Sequence, residues 1–160
     1  MLVVSNTSPI LNLAIVGQLD LLRQQFGQIQ IPPAVLDELK IDEERPGSQS
    51  IQVALTAGWI QVQPFSNQSL VQLLRQTLDS GEAEAISLAL QLQADWVLLD
   101  ERDGRKAAKS LGLQITGVLG VLLRAKECGS LASLQPVITE LTQKAGFRIA
   151  PELLTKVLQT

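Results

Sequence analysis

The chain has no histidine, no tyrosine and a single cysteine, Cys128. Without imidazole there is no Ser-His-Asp or Cys-His catalysis and no histidine-bound zinc. One cysteine builds no internal disulfide framework, and Cys128, just before Gly129, reads as a small, partly buried residue. No apolar run approaches the roughly 18 residues of a membrane span. No basic segment precedes the apolar residues 2–4, so no signal peptide is expected. Aromatics are limited to three Phe and two Trp, which leaves little for stacking bases. Neither sign of charge dominates. At a net −3 the molecule as a whole does not attract polyanions, so any nucleic-acid contact needs a local basic patch. Chemistry therefore falls to carboxylates, hydroxyls, amides, Lys and Arg.

What is present is a chain of 160 residues that is 46% apolar. That is enough for one domain, residues 1–160, with a sizeable core. Cytoplasmic residence is the default expectation. Short apolar runs at residues 2–5, 29–31, 59–62, 96–99 and 113–116 read as strands. Between them, helical spacing predicts helices over residues 10–15, 34–40, 51–57, 69–78, 82–92, 102–111, 118–126, 134–145 and 151–158. Gly17 separates a first and a second short helix, and Asp79-Ser80-Gly81 reads as a break. Residues 43–50, charged and then rich in Pro, Gly and Ser, are the expected mobile loop. Strands alternating with helices predict an α/β fold with a central parallel sheet.

In such folds ligands sit outside the carboxyl ends of the strands. Asp100 follows the fourth apolar run directly, and Glu82 opens the helix before that run. The helix runs back along the strand, so Glu82 and Asp100 are predicted neighbours. Carboxylates forced together repel unless a proton or cation intervenes. Oxygen ligands of this kind suit Mg²⁺ or Mn²⁺. Glu38, on the helix after the second strand, is open to either pocket or solvent. Asp103 lies three residues beyond Asp100, and Asn6 ends the first strand with an uncharged amide. Glu84 lies about 200° around its helix from Glu82, so only one of them enters a shared pocket, and the spacing to Asp100 favours Glu82. Thr7 and Ser8 offer hydroxyls to a phosphate. Arg102, Arg105, Lys106 and Lys109 form a basic helix face for a nucleic-acid backbone.

Five segments resemble one family when taken in order: Val3-Val4-Ser5-Asn6-Thr7-Ser8-Pro9-Ile10, Ile31-Pro32-Pro33-Ala34-Val35-Leu36-Asp37-Glu38-Leu39, Gly81-Glu82-Ala83-Glu84-Ala85-Ile86, Leu98-Leu99-Asp100-Glu101-Arg102 and Gly117-Val118-Leu119-Gly120-Val121-Leu122. They are similar to the PIN domains, and within them to the prokaryotic branch labelled DUF3368, over residues 3 to about 158. The resemblance implies a three-layer α/β/α sandwich and a Mg²⁺- or Mn²⁺-dependent ribonuclease. It implies RNA as substrate, an antitoxin protein as partner if the chain is a toxin, and a homodimer. Carried over, the acidic set falls on Asn6, Glu38, Glu82 and Asp100, with Glu38, Glu82 and Asp100 catalytic. The family pattern has aspartate where this chain has Asn6. The alternative is therefore a PIN-fold protein that binds RNA or a protein without cutting. A receiver-type phosphotransfer domain would need an early acidic pair and a lysine at a later strand tip, and neither pattern is present.

Overall fold

The computed structural model describes residues 1–159. The chain opens with β1 (Val3–Ser5), α1 (Thr7–Ile15) and α2 (Asp20–Phe26), then β2 (Ile29–Ile31), α3 (Pro33–Leu39), α4 (Ser48–Ala57) and β3 (Ile60–Val62). It continues through α5 (Gln68–Leu74), α6 (Ser80–Leu92), β4 (Trp96–Leu98), α7 (Arg102–Ser110) and β5 (Ile115–Thr116). It closes with α8 (Val118–Glu127), α9 (Gln135–Lys144) and α10 (Pro151–Leu158). The five strands pair in the order β3-β2-β1-β4-β5, all parallel. The chain first builds outward from β1 in one direction and then returns to add β4 on its other side. That reversal leaves a crevice at the carboxyl ends of β1 and β4, the position where open α/β sheets bind ligands.

Alternation along the strands creates two cores. Val3, Ile29, Ile31 and Leu98 pack with residues of α1, α2, α4, α8 and α9. Val4, Val97 and Leu99 pack on the other face with α6 and Ala108 of α7. The sheet is thus covered on both faces, as its continuous apolar strands require. α3 packs along α6 and also touches α1. None of the described helices is long and apolar enough to cross a membrane.

Three expectations are corrected. The segment 43–50 is not all loop, because α4 begins at Ser48. Gly47 turns the chain in the left-handed region (φ +86), and a Cβ there would collide with Ala14 of α1, so the turn is packed against the body of the protein. α5 and α6 are separate helices as expected, but α6 begins at Ser80, two residues before the expected start, with Asp79 as its N-cap and Gly81 in its first turn. Cys128 is exposed.

Candidate active site

The predicted site residues follow the carboxyl ends of β1 and β4 or lie on the helices α3 and α6. Asn6 follows β1, and its backbone N–H joins Leu98 of β4 at 3.0 Å. It occupies the N-cap position of α1, where an Asn side chain normally accepts a hydrogen bond from the first turn. Here the side chain caps nothing. Asn6 is 2% exposed, and its Oδ1 is buried without a partner.

Glu38 joins Asn6. Its Oε2 accepts the Thr7 hydroxyl and its Oε1 the Gly81 backbone N–H at 3.2 Å. A Cβ on Gly81 would come within 3.0 Å of Asn6 Oδ1 and closer still to Glu38 Oε2. The missing side chain at Gly81 is therefore what lets α3, α6 and the end of β1 bring their oxygens together. Glu38 is half-buried, with both carboxylate oxygens engaged.

Glu82 stands one residue further along α6. The Asp79 side chain accepts the Glu82 backbone N–H at 2.8 Å, and the Asp79 backbone N–H helps hold the Glu82 carboxylate. This reciprocal pair is a capping box. It occupies only part of the carboxyl group, because Oε2 is buried with no partner, under Gly104 of α7 and beside Leu99. Burial raises the Glu82 pKa to about 7, with the Asp79 side chain and Glu101 adding to the rise and the Asp79 N–H opposing it. Glu84 is resolved by its own contact. Its Oε1 accepts the Ala34 N–H at 2.9 Å, capping α3 from a neighbouring helix.

Asp100 lies two residues beyond β4. Its Oδ1 accepts the Val118 N–H at 3.0 Å and sits against Gly117, where no Cβ would fit. Its Oδ2 is buried and unpartnered. Burial raises the Asp100 pKa to about 6, opposed by the Val118 N–H and by Arg105, and assisted by Glu101. Glu101 raises both the Glu82 and the Asp100 pKa, so it is a neighbour that the two carboxyls share.

Among the described residues no three Asp, Glu or Cys side chains stand close enough to hold one ion. Asp103 is exposed on the first turn of α7, apart from the buried oxygens. Arg105 turns inward, its guanidinium donating to the Leu99 carbonyl at 2.9 Å. Arg102, Lys106 and Lys109 remain exposed. Thr7 is committed to Glu38. Ser8 lines a cavity of about 380 Å³ with Asp100, Glu101 and Arg148. The sequence reading passed over Asp79, Glu101 and Arg148. Asp79 was detectable, since Asp-x-x-Glu is capping-box spacing. Arg148 was not, because only the tertiary fold brings residues 145–150 to Asp100.

Comparison with known proteins agrees with this architecture. The family model DUF3368, described as a PIN domain, matches residues 2–160. Among solved structures, a PilT N-terminus domain protein from the hyperthermophilic archaeon Sulfolobus solfataricus P2 superposes with a TM-score of 0.56 at 20% identity. The match covers 78% of this chain and 93% of that one, and it establishes likeness of fold. No curated protein matches the sequence.

Proposed function

The chain belongs to the DUF3368 family of PIN domains, and on that footing we propose that it is a divalent-metal-dependent endoribonuclease whose site is the carboxyl edge of β1 and β4. PIN domains are generally nucleases and typically use divalent metal ions. One observation carries the reading for this chain. Three buried oxygens, Asn6 Oδ1, Glu82 Oε2 and Asp100 Oδ2, have no hydrogen-bond partner. Buried polar atoms are nearly always satisfied, and each orphan costs about 1–3 kcal/mol. Among the described residues four other buried side-chain atoms, on Gln25, Gln30, Ser87 and Arg124, are also unpartnered, but these three alone follow β1 or β4 or open α6 and include two carboxylates, a set that a ligand supplying positive charge or protons would satisfy.

The donor set fits a hard cation. Amide and carboxylate oxygens suit Mg²⁺ or Mn²⁺. The lack of a tight carboxylate trio fits too, because Mg²⁺ keeps several waters and takes one or two carboxylates together with substrate phosphate. Asp100, Glu82 and Asn6 would hold it, with Glu38 positioned by Thr7 and Gly81 for a second contact or a bound water. When bound, such an ion lowers the pKa of a coordinated water and offsets charge on the phosphoryl oxygens. The protein's own part is to hold these oxygens in place. Val118 orients Asp100 and Thr7 orients Glu38, while Asp79 caps the helix that carries Glu82. With a pKa of about 7, Glu82 in the metal-free chain stands ready to take up or give up a proton near neutrality.

The test is cleavage of an end-labelled single-stranded RNA in Mn²⁺. Wild type should cut, whereas Asp100→Asn and Glu38→Gln should not. A wild type that leaves RNA intact at stoichiometric enzyme would refute the reading. In its toxin form the proposal adds an antitoxin chain as partner, which co-purification from the native host would identify. A second reading rests on Asn6 itself. With an amide where the family pattern has an acid, the site is one charge short, and the chain would bind RNA or protein without cutting.

A further inference from the structure

We propose that Arg148, on the segment between α9 and α10, is a positioning residue that binds a backbone phosphate of single-stranded RNA beside Asp100. The inference rests on the nuclease reading for its substrate class but not for its test. Gly146 turns the chain after α9 in the left-handed region (φ +67), and the Phe147 N–H returns to Leu141 at 3.0 Å. Phe147 and Ile149 are then half-buried, while Arg148 between them is exposed. Val157 of α10 is buried, so the segment is anchored at both ends and holds Arg148 at a fixed place.

That place is the mouth of the candidate site. One cavity, about 380 Å³, is lined by Ser8, Asn12, Asp100, Glu101, Phe147 and Arg148. A second, about 440 Å³, lies past the segment and includes Asp100, Arg105, Gly117, Phe147 and Arg148. Of the cations predicted to meet nucleic acid, Arg105 alone lines either cavity, and its guanidinium is engaged with Leu99. Arg148 makes no hydrogen bond or ion pair with another described residue, so its five donors are free. Ser8 and Asn12, one turn apart on α1, add a hydroxyl and an amide on the opposite wall. A pocket edged by carboxylates repels a phosphodiester, and a guanidinium at its mouth offsets that repulsion and offers bidentate hydrogen bonds. The cavities lie at the small end of the ligand-pocket range.

Fluorescence anisotropy with a labelled single-stranded 20-mer RNA, in EDTA so that nothing is cut, tests the proposal. Losing one phosphate contact on a single strand lowers the salt slope by about 0.7, which corresponds to about fivefold weaker binding at 0.1 M salt. Arg148→Ala should show both effects, and Arg148→Lys should recover most of the affinity. Arg23→Ala, the same charge change on α2, should bind like wild type. Equal affinity and slope in Arg148→Ala, or an equal loss in Arg23→Ala, would overturn the proposal, as would a wild type that binds no RNA. Cleavage in Mn²⁺ is scored separately. If Arg148→Ala binds more weakly and no variant cuts, Arg148 keeps its role and the nuclease reading falls. If wild type cuts and Arg148→Ala binds and cuts equally well, the reverse holds.

Discussion

Replacing Asn6 by aspartate isolates the question of the missing charge. The two side chains are nearly isosteric, so Asn6→Asp changes charge and little else. Asn6 is 2% exposed, and its Oδ1 faces the same point as Glu38 Oε2. Two carboxylate charges brought against one point repel by roughly 3–4 kcal/mol at an effective dielectric near 20. Some of that is relieved by a shared proton, leaving a loss of about 2–3 kcal/mol in the metal-free protein. At about 2–4 °C per kcal/mol for a chain of this size, the melting temperature in EDTA should fall by several degrees. With a divalent ion the sign reverses. Attraction between the ion and the new carboxylate is about twice the unit-charge figure, opposed by desolvation of several kcal/mol. A net gain of about 1.5–3 kcal/mol remains, or 10- to 100-fold in Kd. Calorimetric titration with Mn²⁺ measures the second effect and thermal melts in EDTA measure the first. A variant no less stable in EDTA and no tighter for Mn²⁺ would refute the assignment of Asn6 to a cation site.

Three further outcomes follow from the same geometry. Gly81→Ala adds a methyl where Glu38 and Asn6 meet, so despite alanine's higher helix propensity it should cost about 1–3 kcal/mol and weaken Mn²⁺ binding. An unchanged or raised melting temperature would show that the close approach is not needed. Glu84→Ala removes a cap from α3 and should cost about 1 kcal/mol in urea titrations while leaving Mn²⁺ affinity as it was. Lost metal binding would mean that Glu84, not Glu82, serves the site. Glu82 and Asp100 hold their protons more tightly folded than unfolded, with pKa values raised to about 7 and about 6. Below about pH 4 most of both states carry these protons, and above about pH 7 both states shed them. Between those limits only the folded chain keeps them, so stability in EDTA should fall as pH rises, by up to about 3 kcal/mol per carboxyl. Urea titrations at pH 5 and pH 8 check the sign, and saturating Mn²⁺ should flatten the trend.

The sheet was legible because each strand is a short apolar run closed by polar or turn residues. The run over residues 29–31 ends at Pro32-Pro33, and β2 ends there too. The last helix, Pro151–Leu158, is bounded by its N-terminal proline as expected. α4 was read as starting three residues late because Ser48, Gln49 and Ser50 carry no apolar signal. Its start is set by Gly47 lying against Ala14, a contact that joins distant parts of the chain. The start of α6 is missed in the same way, because Ser80 and Gly81 carry no apolar signal, and the bare Cα of Gly81 makes room for Glu38.

In the site itself, sequence reasoning reached Asn6, Glu82 and Asp100 from their positions after a strand or at a helix start, and each has a buried oxygen without a partner. How each carboxyl is held was not legible, because the Val118 N–H on Asp100 and the bare Cα atoms of Gly104 beside Glu82 and Gly117 beside Asp100 come from elsewhere in the chain. A cation that required three carboxylates would find no seat among the described residues. One that retains its waters needs only one or two carboxylates, and the unpartnered oxygens of Glu82 and Asp100 are the ones it would use. The missing trio is therefore a reason to expect weak metal affinity in the free protein and tighter binding when a phosphate contributes its own oxygens. Mn²⁺ affinity measured with and without a non-cleavable oligonucleotide should differ by at least about tenfold, a coupling near 1.4 kcal/mol. Equal affinities would mean that a phosphate adds nothing to the seat of the ion.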